Sequence, residues 1–386
     1  MPVSQSGCLG LLGGGQLGQM FALAATKLGY RVIGLWPEAD APAEGVCEQW
    51  IQAEYTDEKA LDTLSQLVAG VTIEFENIPV NTLQYLSQKV PVYPAAKVLE
   101  VTQDRLAEKR FIQSLGLPTT PFVEVRSEEA LMSGLKHLGQ PAVLKTTRFG
   151  YDGKGQKKIP TPESARIAWQ ALQPHADVCE PLILEQWQSL KAECALFGAR
   201  NTRGEMALMP LTQTWHRNHI LHRACWPAQP DVAAFERPAQ KMLLTLMEAF
   251  NLTGVLCVEF FITESGNLLI NELAPRPHNA FHWTMEGCTI SQFELQVAAM
   301  TTVPLLNPVP IAPCLMQNIL GDSYRALRDP ALRSSKILSQ VTLNLHDYGK
   351  IEPRAGRKMA HLTAQLPQGS KPWQMSLADE IFSHLA

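Results

Sequence analysis

Short apolar runs and helical repeats alternate over the first hundred residues. Residues 8–12, 31–35 and 71–75 read as strands. Between them lie a helix with Leu17, Met20, Phe21, Ala24 and Leu28 on one face and another over 58–68 with Ala60, Leu61, Leu64 and Leu67 inward. Such alternation predicts a parallel α/β sheet with ligands beyond the carboxyl ends of its strands. Residues 97–115 read as one helix stopped by Gly116 and Pro118, with Arg105 and Lys109 on its polar side, and such a helix fits a domain junction. A second α/β segment follows: strand 122–125, a helix capped by Ser127 and running to Leu138, and strands 142–145 and 182–186.

Beyond it, 193–199 and 206–212 read as strands, and 240–250 and 291–300 as amphipathic helices. The runs 255–262 and 268–273, separated by Glu264-Ser265-Gly266-Asn267, form a hairpin. Four prolines mark 304–313 as a linker, and 315–320 and 341–345 are strands of a small β-rich terminal unit. The pattern is mixed α/β and α+β, in more than one domain.

Composition narrows the function. A net charge of −4 without a long Lys/Arg run argues against nucleic-acid or anionic-membrane partners and favours a small molecule. Eight cysteines with no CxxC argue against a zinc ribbon or dithiol motif and read as reduced, mostly buried thiols. The apolar stretch 8–25 contains five glycines, Gln16 and Gln19 and lacks a basic leader, so a soluble cytoplasmic protein is expected.

The hairpin carries the most pointed chemistry. Glu259 and Glu272 lie on adjacent strands among core residues, where lone carboxylates are costly. They could share Mg²⁺, which takes one or two protein carboxylates and completes its shell with water and phosphate oxygens, or they could join a buried ion-pair network. Asn271 adds an oxygen, and Arg276, His278 and Asn279 follow with a charge and donors for an anionic reactant. Upstream, strand 142–145 ends in Lys145, and the loop with Gly150, Gly153 and Gly155 around Asp152 and Lys154 can close over phosphates or be a plain exposed turn. Glu185 and Gln186 suit an adenine amino group and ribose hydroxyls.

At the N-terminus Gly13-Gly14-Gly15-Gln16-Leu17-Gly18 fits the dinucleotide fingerprint, but the second strand ends at Trp36-Pro37, with Glu38 and Asp40 late for the ribose acid. A glycine turn serving another ligand is equally open. Glu76 and Asn77 end the third strand and point to the same crevice or form a polar turn. His216, His219 and His222 are spaced to turn apart on a strand, so a polar loop with one ligand-contacting histidine is expected instead of zinc. Lys350, Arg354, Arg357 and Lys358 around Gly356 grip a phosphate monoester or form solvated surface.

Taken together, Lys145, the loop 150–156, Glu185-Gln186 and the Glu259/Asn271-Glu272 set resemble the ATP-grasp superfamily. Within it, GGGQLGQM at 13–20, EFENIP at 74–79, GYDGKGQ at 150–156, NELAPRPHN at 271–279, HWT at 282–284 and GRKMAHL at 356–362 resemble the N5-carboxyaminoimidazole ribonucleotide synthetase family over essentially the whole chain. The resemblance implies an ATP-grasp fold with a Rossmann-like domain at 1–103, a grasp domain at 104–305 whose lid spans about 118–188, and a C-terminal domain at 306–386. It implies that Arg105, Lys145, Gly150, Tyr151, Asp152, Gly153, Lys154, Gly155, Gln156, Glu185, Gln186, Trp187, Gln188, Glu193, His216, Asn271 and Glu272 hold ATP. Magnesium, as two ions, would sit on Glu259 and Glu272. Gln16, Leu17, Glu76, Tyr151, Asp152, Lys154, Lys350 and Arg357 would hold aminoimidazole ribonucleotide, the last two at its phosphate. Lys145, Arg276, His278 and Asn279 would serve the bicarbonate chemistry.

Phe149 stands where a glycine is common, and Pro353 and Ala355 replace the usual Val and Pro, while every charged position is kept. A homodimer that passes its product to a separate mutase is also implied. Among the rivals, a sister ligase such as formate-dependent glycinamide ribonucleotide transformylase lacks the PRPHN and HWT run. A dehydrogenase accounts only for 8–40, and a non-catalytic nucleotide-binding regulator needs no second hairpin carboxylate.

Overall fold

Three sheets organise the chain in the computed structural model, which describes residues 2–4, 7–150, 153–172, 180–324, 341–370 and 373–382. The first is parallel and contains Cys8–Leu12 (β1), Arg31–Trp36 (β2), Gln49–Gln52 (β3), Gly70–Ile73 (β4) and Val92–Tyr93 (β5), in the order β3-β2-β1-β4-β5. Helices cover both faces, so β1 and β4 are buried at every residue. The chain leaves β1 to one side for β2 and returns to its other side for β4. Their carboxyl ends therefore open a crevice at the switch point, as the alternating pattern predicted.

The second sheet is antiparallel: Phe122–Val125 (β6), Ala142–Thr146 (β7), Gln156–Ile159 (β8) and Leu182–Gln186 (β9), ordered β6-β9-β7-β8. Leu131 and Leu135 of one helix and Ala168 of another cover it. The third contains Leu190–Arg200 (β10), Met206–Leu208 (β11), Thr212–Arg217 (β12), Ile220–Trp226 (β13), Gly254–Thr263 (β14), Leu268–Ala274 (β15), Cys314–Leu320 (β16), Thr342–Asp347 (β17) and Lys358–Gln365 (β18). Its order is β15-β14-β10-β12-β13-β16-β18-β17, with β11 on β10. The expected terminal unit is thus no separate sheet: β16 pairs with β13 and carries the grasp sheet onward.

Period-2 alternation explains why the hairpin strand β14 reads as a continuous apolar run. Leu256, Val258 and Phe260 face a core with Leu243, Leu246 and Met247 of helix Glu236–Ala249, while Val255 and Cys257 face Phe281, Trp283 and Leu295. Glu259 continues the second face. Helix Gln292–Met300, expected to be amphipathic, is buried on all sides. Its Phe293, Val297 and Met300 join the core of the N-terminal sheet, and Leu295 and Ala299 join that of the grasp sheet.

Several sequence expectations need correction. Residues 97–115 are two helices, Ala96–Thr102 and Arg105–Ser114, because the Asp104 carboxylate accepts from Leu106 N and Ala107 N and starts a new helix. Lys109, expected on a polar face, is 1% exposed. Residues 206–212 divide at Pro210, which has no N–H to give a ladder, so the chain restarts as β12. The third strand ends at Ile73, freeing Glu74 and Phe75 to turn. The described cysteines are all free, and all but Cys47 are buried.

Asp104 anchors the helix that carries Arg105 to the middle of the molecule. Asp104→Ala is expected to lose about 1 kcal/mol in urea unfolding and Asp104→Asn only a few tenths. Equal stability of the three proteins would show that the cap is not what starts this helix.

Candidate active site

The three sheets converge on one cavity of about 490 Å³. The carboxyl ends of β1 and β4 contribute Gln16, Leu17 and Glu76, and the lid sheet contributes Lys145, Gly153, Lys154 and Gln156. The grasp sheet adds Glu193, His216, Glu259, Asn271 and Glu272, the loop after it Arg276, His278 and Asn279, and the C-terminal segment Lys350 and Arg357. Arg105 completes the wall.

Glu259 and Glu272 are direct cross-strand partners. Burial works to raise the Glu259 carboxyl, but the His278 imidazole, His216 and the Asn271 amide outweigh it and hold it at about 2, so it is ionised. Its Oε1 lies 3.2 Å from His278 Nε2 and its Oε2 accepts from Asn271 Nδ2 at 3.3 Å. His278 Nδ1 accepts from Ala280 N, which puts the ring proton on Nε2, facing Glu259. Glu272 is more open, 3.6 Å from Arg105. Among the described residues no group of three His, Cys, Asp or Glu side chains is placed to cage an ion. The hairpin therefore offers two hard carboxylates and leaves the other positions to water and ligand oxygens, which is how Mg²⁺ is usually held.

Lys145 Nζ lies 2.7 Å from Glu185 Oε2, with Glu185 only 3% exposed behind it. Burial would raise this carboxyl, yet Lys109, Lys145 and Arg105 bring it down to about 2. Arg276 forms a two-pronged pair with Glu76 through Nε and Nη2. Burial opposes the Glu76 charge, and Arg276 more than compensates, lowering its pKa. His216 Nδ1 sits 2.9 Å from Glu193; burial works against its charge, but that bond and Glu259 raise its pKa. Asn279 is buried with neither end of its amide hydrogen-bonded among the described residues, so it presents a donor and an acceptor to whatever enters.

The glycine turn holds an anion that the sequence did not reveal. Gly15 N and Gly18 N donate to the Glu74 carboxylate at 2.6 and 2.8 Å, and side chains at Gly13 or Gly15 would run into it. An internal carboxylate thus occupies the amides that a dinucleotide phosphate would need. Burial raises the Glu74 pKa against these two bonds. The signal was an acid directly after the strand beside the turn. Asp40, too late for a ribose acid, instead meets Arg357 Nη2 at 2.8 Å. Lys350 Nζ donates to Gln16 Oε1 at 2.9 Å and to the Lys358 carbonyl. Its pKa is lowered to about 8 by burial and then by Arg357.

Some candidates do not reach this cavity. Gln186 donates to the Leu138 carbonyl, Gln188 donates to Gln186, and Trp187 lies beneath Lys158 Nζ at 3.5 Å. Gly150 and Gly155 stay behind the lining, with the Gly150 carbonyl accepting from Arg105, and Asn77 lines a smaller neighbouring recess. Tyr151 and Asp152 lie outside the described residues. The histidine row is a β-hairpin and not a polar loop: His216 on β12 and His219 in the turn against Gly153 do line the cavity, while His222 on β13 does not, and burial pulls its pKa to about 4. HWT belongs to the core, where Trp283 Nε1 donates to Thr212.

Comparison with known proteins gives the family. Models of the ribonucleotide synthetase preATP-grasp domain, the ATP-grasp domain and the phosphoribosylaminoimidazole carboxylase C-terminal domain match residues 7–103, 110–293 and 314–370. The chain is 39% identical to an N5-carboxyaminoimidazole ribonucleotide synthase of Brucella melitensis, over 93% of this chain and 96% of that one. The Thermus thermophilus synthetase superposes with a TM-score of 0.85 at 39% identity, covering 98% of this chain and 97% of that one. The Aspergillus clavatus synthase, solved with ADP and 5-aminoimidazole ribonucleotide, gives 0.84 at 26% identity, covering 99% and 98%. No helix among the described residues is long and apolar enough to cross a membrane. On its sequence and its fold alike, the chain belongs to the N5-carboxyaminoimidazole ribonucleotide synthase family of ATP-grasp ligases.

Proposed function

We propose that this protein carboxylates 5-aminoimidazole ribonucleotide with bicarbonate and ATP, giving N5-carboxyaminoimidazole ribonucleotide, ADP and phosphate in purine biosynthesis. The observation that carries this reading is a single cavity lined by two sets of phosphate-handling groups. Lys145, Arg105 and the Glu259/Glu272 pair, with Arg105 beside Glu272, are the set assigned to ATP and metal, and Lys350 and Arg357, which meet Gln16 and Asp40, are the set assigned to the ribonucleotide phosphate. Arg276, His278 and Asn279 line the same cavity.

Glu259 and Glu272 fit magnesium, as one ion or two, because both are oxygen donors on facing positions and Glu259 is ionised. When bound with ATP, the metal would offset charge on the β- and γ-phosphate oxygens. Lys145, held by Glu185, adds a fixed cation for charge that develops on the transferred phosphoryl group. Arg276 and the Asn279 amide orient bicarbonate so that its oxygen attacks the γ-phosphorus in line as the bond to ADP breaks. His278 keeps its Nε2 proton on Glu259 and so holds that carboxylate still. The resulting carboxyphosphate is short-lived in water, so water must be kept from it, a role that suits Gly153 and Lys154 of the glycine loop, which line the cavity. The 5-amino group of the ribonucleotide then takes the carboxyl carbon, directly or as CO₂, and phosphate leaves.

Gln16, Leu17 and Glu76 would bind the ribonucleotide, with its phosphate on Lys350 and Arg357. A cytoplasmic homodimer that hands its product to a mutase completes the proposal. It is tested by phosphate release from ATP, which should depend on both the ribonucleotide and bicarbonate. Release that depends on formate and glycinamide ribonucleotide would mark a sister ligase.

Glu272→Gln keeps the shape of the hairpin and removes a charge. Turnover of ATP is expected to vanish with an unchanged circular dichroism spectrum, whereas near-normal turnover at saturating Mg²⁺ would remove the metal from this pair.

Arg357→Ala is expected to raise KM for the ribonucleotide about tenfold or more, as loss of a charge-assisted bond of roughly 1.5–3 kcal/mol requires, and to leave KM for ATP alone. Lys350 sharpens the test through pH. With its pKa near 8 in the free enzyme it is cationic below that pH and neutral above it, so kcat/KM for the ribonucleotide should fall as pH rises through about 8. Lys350→Arg stays charged and should lose that alkaline limb. A limb that persists in the variant belongs to another group.

A further inference from the structure

Successive residues of a strand point to opposite faces of a sheet, yet Asn271 and Glu272 both line the cavity. The register explains how. Glu259 pairs with Glu272 and Phe260 with Ile270, which leaves Asn271 as an extra residue, a bulge in β15. β15 is also the outermost strand of its sheet, so only one of its edges is paired by β14. The backbone groups of the other edge, at the bulge itself, need partners from elsewhere.

Helix Arg105–Ser114 and the loop after it supply them. Ile270 N donates to the Pro118 carbonyl at 2.9 Å and Thr119 Oγ1 donates to Ile270 O at 2.7 Å. Lys109 Nζ donates to Asn271 O at 3.0 Å and to Thr119 Oγ1 at 2.9 Å, with a longer contact to Ile270 O at 3.5 Å. One residue earlier in the helix, Glu108 Oε2 accepts from Leu273 N at 3.0 Å. The two neighbours thus grip the backbone immediately before and after Glu272. Both are about as buried as charged residues become, at 2% and 1% exposed.

Packing alone does not account for an amine at position 109. Its hydrogen bonds go to neutral oxygens, and a methionine of similar size would fill the space without the cost of desolvating an ammonium. Two things the amine does and a methionine cannot: it helps to keep the Glu185 carboxyl ionised, and it holds a bulge carbonyl and a threonine hydroxyl at once.

We infer that Glu108 and Lys109 are positioning residues for the nucleotide–metal set of the cavity, which hold the β15 bulge so that Asn271 and Glu272 face the ligand together. The inference rests on the reading that Glu259 and Glu272 bind magnesium with the nucleotide. It assigns to the interior of the fold a control over Mg·ADP affinity that leaves the ribonucleotide set untouched.

The test is calorimetric binding of Mg·ADP to the purified full-length protein, with KM for the ribonucleotide measured in parallel. Lys109→Met should weaken Mg·ADP binding about tenfold or more, the usual effect of losing a group that orients a metal ligand, and leave the ribonucleotide KM unchanged. Glu108→Gln keeps an oxygen for Leu273 N and should bind like the parent, while Glu108→Ala should weaken in the same direction as Lys109→Met. Thr119→Val is measured beside it, because it leaves the amine near Glu185 in place: it keeps the shape, removes the hydroxyl between Lys109 and Ile270, and should also weaken Mg·ADP selectively.

A folded Lys109→Met with parental Mg·ADP affinity, beside a Glu272→Gln that has lost it, overturns the inference and leaves the magnesium reading standing. So does a loss shared equally by both substrates, and so does a Thr119→Val that binds like the parent. Parental affinity in Glu272→Gln overturns both the reading and the inference.

Discussion

Charges removed from water must find partners, and in this molecule the partners come from different parts of the fold. Arg276 follows the grasp sheet and pairs with Glu76 of the N-terminal domain. Arg357 of the C-terminal segment pairs with Asp40, and Lys350 reaches Gln16, both of the N-terminal domain. Lys145 and Glu185 pair across the lid sheet. Such pairs are weak sources of stability, since desolvation offsets most of their attraction. What they supply is geometry: the Arg276–Glu76 and Arg357–Asp40 pairs tie later parts of the chain to the N-terminal domain around the cavity that Arg276, Glu76 and Arg357 line.

The glycine turn shows the same constraint from the opposite side. Backbone amides at a helix start attract an anion whatever its source. Here the Glu74 carboxyl takes that place, from the turn after β4, and it fills the space that the missing side chains of Gly13 and Gly15 leave open. The N-terminal domain keeps the switch-point crevice of a nucleotide-binding fold and has closed its phosphate site from within. The crevice still offers Gln16 and Glu76, which suit an uncharged or hydroxylated part of a ligand.

Where the sequence was legible, local physics decided the outcome. The parallel sense of the first sheet, the hairpin with its facing carboxylates and the Ser127 cap all follow from periodicity and turn chemistry over fewer than about twenty residues, whereas the short strands β3 and β5 carry too little pattern to be read. The illegible features depend on residues far apart in the chain. Lys109 read as surface because a lysine is rarely buried, and only the edge of β15, some 160 residues later, gives it acceptors. Residues 97–115 read as one helix because Asp104 is inconspicuous until its side chain turns back onto Leu106 and Ala107. The terminal strands were legible as a C-terminal domain, but not as a continuation of the third sheet, because a pattern of alternation does not say which sheet a strand will join. The candidate site divides in the same way. Glu259, Asn271 and Glu272 were found as neighbours in sequence, while Glu74, Asp40 and the β15 bulge appear only in three dimensions.

One consequence follows for how such a cavity chooses its ligand. Lys145, Arg105, Arg276 and Arg357 already face carboxylates, while Lys350 is held by neutral oxygens, so an anion that enters must exchange partners at the paired cations and does not simply find them: a phosphate that takes Arg357 takes it from Asp40. Affinity then measures the difference between two pairings, which is smaller than either. That difference favours ligands unequally. A neutral group cannot displace Asp40, and a carboxylate would only replace like with like. A phosphate dianion can hold Lys350 and Arg357 together, because it carries more charge and more acceptor oxygens than the side chain it displaces. The internal ion pairs that keep the fold assembled without ligand thus also set the minimum charge that a ligand must bring.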